Sequence, residues 1–143
     1  MFSGKYSYKV DEKGRLPLPP KFRRDMREGV MLAKSLGTEK CVAVYSLSEW
    51  KRLSDSLAAR PVTPANLRKV NRALFGSAFS ASLDGQGRIA LPWELRDYAE
   101  IGDTVIVVGA NNYVELWNEE LWEVENALAE EQKFQIIEDF GTQ

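Results

Sequence analysis

Residues 6–19 read YSYKVDEKGRLPLP, and their pattern indicates two short strands joined by a tight turn. Apolar and polar residues alternate on both sides of residues 11–14, as they do in half-buried strands. Asp11 at the first turn position and Gly14 at the fourth are typical of a type I turn followed by a bulge, in which the glycine is left-handed. The stretch therefore predicts a β-hairpin with Lys13 at its tip and Arg15 at the start of the second strand.

The same pattern recurs 73 residues later, where residues 83–96 read LDGQGRIALPWELR. Seven of the twenty positions in residues 10–29 are identical in residues 83–102. Among these matches, Asp84, Gly87 and Arg88 correspond to Asp11, Gly14 and Arg15. Each copy spans about fifty residues and carries little apolar mass, so the two copies are expected to share one core.

The repeat divides the chain into a basic first unit at residues 1–60, a connecting helix at 61–76 and an acidic second unit with C-terminal helices at 77–143. The connecting segment begins at a Thr63-Pro64 cap, carries apolar residues at helical spacing and ends at Gly76. Short strands alternate with short helices in both units. The sequence therefore predicts an α+β fold built on a β-domain of pseudo-two-fold symmetry.

Charge is divided unequally between the halves, although the whole chain has a net charge of only −2. Residues 1–72 carry 16 Lys and Arg against 7 Asp and Glu, whereas residues 73–143 carry 3 against 14. A basic surface is typical of nucleic-acid binding, and an acidic one is suited to a basic partner. Solvated helix faces are the alternative explanation of the same counts.

The composition argues against most kinds of enzyme. The chain has no histidine and a single cysteine, Cys41, so an intrachain disulfide is excluded and the commonest general base and metal ligand is missing. A catalytic pair of Asp11 and Asp84 is an alternative, but Arg15 and Arg88 beside them would keep both carboxylates ionised. We therefore expect no catalysis, no metal, no cofactor and no small-molecule substrate.

No stretch of the sequence comes close to 18 consecutive apolar residues, the length that a membrane-spanning helix requires. The sequence therefore predicts a cytoplasmic protein without a membrane span.

The two copies of Asp-x-x-Gly-Arg, each followed by an apolar residue, one further residue and Leu-Pro, resemble the MraZ family, whose hallmark is a duplicated Asp-x-x-x-Arg motif. The segments MFSG at 1–4, LFG at 74–76 and VVGA at 107–110 look like the same family, so the resemblance covers nearly the whole chain. It implies a pseudo-two-fold β-barrel of two swapped-hairpin, AbrB-like halves with peripheral helices.

The resemblance also implies a function. MraZ proteins are bacterial transcriptional regulators that form ring-shaped homo-oligomers and bind double-stranded DNA at direct repeats. These repeats lie upstream of the division and cell wall gene cluster that begins with their own gene. The resemblance therefore implies a nucleoid-associated regulator, in the first instance a repressor.

Seven cations are candidate DNA contacts: Lys5, Lys9, Lys13, Arg15, Arg23, Arg24 and Arg88. A projecting turn fits the major groove, where Arg15 can hold guanine bidentately and Lys13 can neutralise phosphate. The other candidates are suited to the phosphate backbone, or alternatively are solvated surface charges. Arg88 is the weaker candidate because its sequence surroundings are acidic. The motif's remaining members are predicted to be structural turn residues: Asp11, Gly14, Asp84 and Gly87.

The acidic C-terminal segment, residues 118–140, leaves a second function open. Its apolar positions suit a partner-binding arm, which would make the chain a non-catalytic protein-interaction or antitoxin-like module. Alternatively, this segment forms a helical pair that packs on its own domain or on the next subunit. Trp50, Trp117 and Trp122 are predicted to pack in the interior, whereas Trp93 is a candidate interface residue.

Overall fold

The computed structural model describes residues 1–141 of the 143-residue chain as a mixed α+β protein, so residues 142 and 143 of the predicted second unit lie outside it. The strands are β1 (Lys5–Lys9), β2 (Arg15–Pro17), β3 (Val30–Lys34), β4 (Val42–Ser46), β5 (Phe79–Ala81), β6 (Arg88–Ala90), β7 (Thr104–Gly109) and β8 (Val114–Trp117). The helices are α1 (Pro20–Arg23), α2 (Leu47–Ala59), α3 (Pro64–Val70), α4 (Trp93–Tyr98) and α5 (Glu119–Gly141), with a π-helical segment, Asn71–Phe75, directly after α3. The α+β prediction is confirmed.

Strands of the two copies are interleaved. An antiparallel sheet runs in the order β1-β7-β8-β4-β3-β5, and β2 pairs with β6 in a separate ribbon. The first turn forms as predicted, with the Asp11 N–H donating to the Arg15 carbonyl at 2.9 Å. The simple hairpin is nevertheless wrong, because β1 pairs with β7 and β2 with β6. The exchange places Leu16 opposite Ile89, and both side chains are almost fully buried between the two copies.

A pseudo-two-fold axis relates the copies. Leu16 faces Ile89 in the ribbon, and Ala43 faces Glu115 where β4 pairs with β8, so repeat-equivalent residues oppose each other at both places. Among the described residues, β1 and β5 are the two edge strands of the sheet, and no backbone hydrogen bonds pair them with each other. The closed barrel that the resemblance implies therefore stays a prediction.

The main core lies between the inner face of the sheet and the ribbon, and helices α1 and α4 contribute Phe22 and Leu95 to it. It draws on both copies and includes Leu16, Leu18, Phe22, Ile89, Leu91, Leu95, Val105 and Val107. Trp117, at 4% exposure, and Cys41 lie in a separate cluster with partly buried Trp122, as predicted for interior residues, whereas Trp93 is 71% exposed. Trp50 is partly buried beside Tyr45.

The outer layer consists of the longer helices. Ser46 caps α2 by accepting from the Glu49 N–H at 3.3 Å, and Thr63 caps α3 in the same way, which confirms the cap predicted at Thr63. The C-terminal segment forms one helix of 23 residues, α5, and not the predicted pair. The reason is local: residues 119–140 contain neither glycine nor proline, and Asn118 caps the helix by accepting from the Leu121 N–H at 3.0 Å.

Candidate nucleic-acid interface

The first turn is held together by the carboxylate of Asp11. Its Oδ1 accepts the backbone N–H groups of Lys13 at 2.9 Å and Arg15 at 2.8 Å, and its Oδ2 accepts the Arg15 Nε–H at 2.8 Å. Gly14 has φ of 77°, which is the left-handed conformation predicted for it. These bonds favour the ionised carboxylate, so the pKa of Asp11 is lowered, chiefly by the Arg15 N–H.

The second turn is built in the same way. Asp84 Oδ1 accepts the backbone N–H groups of Gln86 and Arg88, both at 2.9 Å, and its Oδ2 accepts the Arg88 Nε–H at 2.9 Å. Gly87 has φ of 75°. The pKa of Asp84 is lowered as well, chiefly by the Arg88 N–H. Each Asp therefore fixes the side-chain direction of its own Arg.

The two turns lie side by side. The Gly14 carbonyl accepts the Leu91 N–H at 2.8 Å, and the Gly87 carbonyl accepts the Leu18 N–H at 3.0 Å. In addition, Arg88 Nη1 lies 3.6 Å from Asp11 Oδ2 of the first turn. Sequence separation had given no sign that two motifs 73 residues apart form one continuous surface.

Helix α1 of the basic copy lies against the turn of the acidic copy. A cleft is lined by Arg23 of α1 and by Arg24 and Arg27 of the turn that follows α1 on one side, and by the turn of Asp84 on the other. The repeat places Asp97 and Glu100 at the positions of Arg24 and Arg27, so the basic character belongs to this cleft and not to its pseudo-symmetric counterpart. Arg88 itself is paired with the carboxylates of Asp84 at 2.9 Å and Asp11 at 3.6 Å, while the turn that precedes it borders this basic cleft.

Arg23 has a structural contact as well, since its Nε donates to the Leu18 carbonyl at 3.0 Å. Its guanidinium lies directly over Gly87, where a Cβ would overlap it. Arg27 was missed by the sequence reasoning. The available signal was its spacing of three and four residues from Arg24 and Arg23, although the structure ends α1 at Arg23 and continues through a turn.

The predicted lysines lie at different distances from the paired turns. Lys13 is exposed at the tip of the first turn. Lys9 is exposed two residues before that turn, at the end of edge strand β1. Lys5, at the other end of β1, is four residues further away, which is about 13 Å along a strand.

Gly87 and Gly85 form a matched pair for testing the second turn. We expect Gly87→Ala to lower the free energy of unfolding by about 1–2 kcal/mol, because alanine is strained at positive φ and must also displace Arg23. A Cβ at Gly85 meets no atom within 4 Å, so Gly85→Ala should change stability by less than about 0.5 kcal/mol. Urea unfolding of both variants measures the difference, and equal losses would contradict this account of the turn.

Two classes of site are not found in residues 1–141. In that range no group of three or more His, Cys, Asp or Glu side chains is arranged to hold a metal ion. None of the helices there has the length and apolar character that crossing a membrane requires.

Known proteins resemble the chain along most of its length. The family model described as "MraZ protein, putative antitoxin-like" matches twice, at residues 1–73 and 74–139. Two relatives from two strains of Dehalococcoides mccartyi, each named "Transcriptional regulator MraZ", are 51% and 50% identical over 138 residues, which is 96% of this chain and 96% of each relative. The family predicted from the duplicated Asp-x-x-Gly-Arg motif is thus confirmed, and the chain belongs to the MraZ family.

Proposed function

We propose that the chain is a transcriptional regulator that binds double-stranded DNA through its two adjacent turns. The observation that carries the proposal is the pair of Asp-held turns, which present Lys13, Arg15 and Arg88 on one surface. The names of the Dehalococcoides relatives support the regulatory role. A rigid protruding turn of this kind fits the major groove, where base edges are distinguishable.

Arg15 is the residue that reads the bases in this proposal. Its Nε donates to Asp11, which leaves the two terminal amino groups of the guanidinium for a partner. A guanidinium held in one orientation loses less entropy when it binds guanine O6 and N7. Asp11 therefore acts through Arg15. The nearby positive charge of Arg88 offsets the repulsion between the Asp11 carboxylate and phosphate.

The remaining cations are proposed to contact the phosphate backbone. Lys13 at the turn tip, Lys9 on β1, and Arg24 and Arg27 in the basic cleft are arranged around the paired turns, with Lys5 at the far end of β1. Arg23 contributes its charge while its Nε remains bound to Leu18. Backbone contacts of this kind add affinity that falls steeply with salt and is independent of sequence.

We also propose that several identical chains assemble into a ring. Within each chain, the strands of the two repeats enclose the shared core as a pseudo-two-fold barrel. Helix α5 exposes apolar side chains on a strongly acidic helix: Val124, Phe134, Ile137 and Phe140 are 62–73% exposed. Val62 and Val70 are exposed near basic residues before and within α3. A head-to-tail contact between these oppositely charged surfaces of successive copies would close a ring.

Ring assembly explains why repeated DNA sites are the expected target. One pair of turns covers little DNA, and linked copies raise the effective concentration of each further turn. We propose direct repeats upstream of the division and cell wall gene cluster, including the chain's own gene, and repression as the outcome. The site of action is then the nucleoid in the cytoplasm.

Selection of bound sequences from a random DNA pool tests this function. We expect wild-type chain to enrich a short box repeated in one direction, because identical turns on successive copies read identical bases. Binding to the enriched DNA should weaken steeply as salt is raised, by about tenfold or more between 50 and 200 mM. If no sequence is enriched at any salt concentration, the protein-interaction or antitoxin-like function becomes the better account.

A further inference from the structure

A cavity of about 350 Å³ lies on the side of the sheet that faces away from the paired turns. Strands β4 and β8 direct Val44 and Leu116 into the main core, so Ala43 and Glu115 point to the opposite face. Helix α5 and the segment between β3 and β4 border this partly open space. The cavity therefore sits on the pseudo-two-fold axis, separated from the turns by the sheet and the core.

Four aromatic rings line the cavity. Tyr45 and Tyr113 stack with their centroids 5.4 Å apart, and Trp117 meets Trp122 of α5 with centroids 5.7 Å apart. The face of an aromatic ring carries partial negative charge and attracts cations, most strongly in tryptophan. The rings also offer apolar surface, so they suit a ligand that is both positively charged and partly apolar.

Three carboxylates line the same cavity, from Glu39, Glu115 and Glu125. None of its lining residues within the described chain is Lys or Arg. Burial raises the pKa of Tyr45 to about 12 and raises that of Tyr113, and the charge of Glu115 adds to both effects. The cavity thus has a negative electrostatic potential.

Glu115 lies at the centre of this arrangement and is partly buried. Its Oε1 accepts the Trp117 Nε1–H at 3.0 Å, and its Oε2 accepts the Cys41 thiol at 3.6 Å. Both donors are neutral, and none of the ion pairs in residues 1–141 includes Glu115. A partly buried carboxylate is costly without a cation, so this site gains from a positively charged ligand.

We propose that this cavity binds an organic cation, in which an ammonium or guanidinium group faces Glu115 and the attached apolar part packs on the four aromatic rings. Two kinds of molecule carry such a cationic group: a free alkylated amine or guanidine, and a Lys or Arg side chain of a second chain of this protein. The proposal rests on the cavity alone and is independent of DNA binding.

Choline and its neutral isostere 3,3-dimethyl-1-butanol test the proposal, because they differ in charge but hardly in shape. We expect choline and butylguanidinium to change the tryptophan fluorescence and to release or absorb heat in calorimetry. The neutral isostere should bind at least about tenfold more weakly. The proposal is overturned if neither cation binds at about 10 mM, or if choline and the isostere bind equally.

Variants assign the binding to this cavity. Glu115→Gln, with an unchanged thermal midpoint, should weaken choline binding by about tenfold. Glu125→Gln is a second probe of the same charge, should Glu115→Gln fail to fold. Glu94→Gln on the exposed face of α4 has the same charge change and should bind choline as the wild type does. If both cavity variants bind like Glu94→Gln, the cation lies elsewhere and the proposal is wrong.

Sedimentation separates the two sources of the cation. If a second copy supplies it, Glu115→Gln and added choline will both lower the mass of the assembly, since each removes the same contact. If the cation is a free molecule, choline binds and the mass stays unchanged. Either result supports a cation site, and both leave the DNA-binding proposal to be judged by its own selection experiment.

Discussion

Arg15→Ala is expected to abolish recognition of the selected DNA box while the chain stays folded. The Arg15 side chain is about one-third exposed. Truncating it removes one partly buried hydrogen bond to Asp11 but no packing in the core. A bidentate arginine–guanine contact provides about 1–3 kcal/mol of discrimination. Since every chain in an assembly loses the same contact, the affinity for a repeated box should fall by at least about 100-fold. Fluorescence anisotropy with the selected box and with random DNA measures the loss.

Arg52→Ala is the matched control, because Arg52 is 74% exposed on α2 and forms an ion pair with Glu49 at 3.4 Å, far along the chain from both turns. It changes the net charge by the same amount, so it should reduce binding to both DNAs slightly and equally. Arg15→Lys adds a second comparison, since it keeps the charge but loses the planar fork. If Arg15→Ala and Arg52→Ala reduce binding equally, Arg15 supplies only charge and the base-reading role is wrong.

Leu16→Ala is expected to lower the stability of the chain strongly. Leu16 is fully buried and faces Ile89 across the ribbon that joins the two copies. Truncating a buried leucine costs about 2–5 kcal/mol, which is a large part of the free energy of unfolding of a small domain. Because both copies share this core, we expect one cooperative transition, at lower denaturant, in which tryptophan fluorescence and circular dichroism change together.

Leu36→Ala provides the comparison for Leu16→Ala. Leu36 is 60% exposed, so the same chemical change should alter the free energy of unfolding by less than about 0.5 kcal/mol. If Leu16→Ala instead produces two separate transitions, one for each copy, then the halves fold independently and the shared core does not control stability.

Local signals in the sequence predicted the turns correctly. Asp and Gly at the turn positions of residues 11–14 and 84–87, and the cap at Thr63, act through hydrogen bonds between near neighbours. Local signals did not predict that β1 pairs with β7 and β2 with β6. A turn of this type serves a simple hairpin and an exchanged one equally, and the choice depends on whether Leu16 can be buried within its own copy.

The candidate site shows the same limit for charge. Counting residues along the chain assigned Arg88 to an acidic region, because 14 of the 17 charges in residues 73–143 are negative. In space, the turn of Asp84 that holds Arg88 borders the cleft of Arg23, Arg24 and Arg27 from the basic copy. Electrostatic potential depends on distance through the folded molecule, so a count along the sequence misplaces charges whenever strands are exchanged.

The exchange of strands also has a consequence for synthesis of the chain. Ribosomes add about 5–20 residues per second, so roughly 4–15 seconds separate the addition of Leu16 from that of its partner Ile89. During that interval β2 has no partner in its own nascent chain, and the apolar side chain of Leu16 is exposed to the β6 strands of other chains. Correct assembly therefore depends on how quickly the second copy leaves the ribosome, and a translational pause within residues 61–88 would increase pairing between chains.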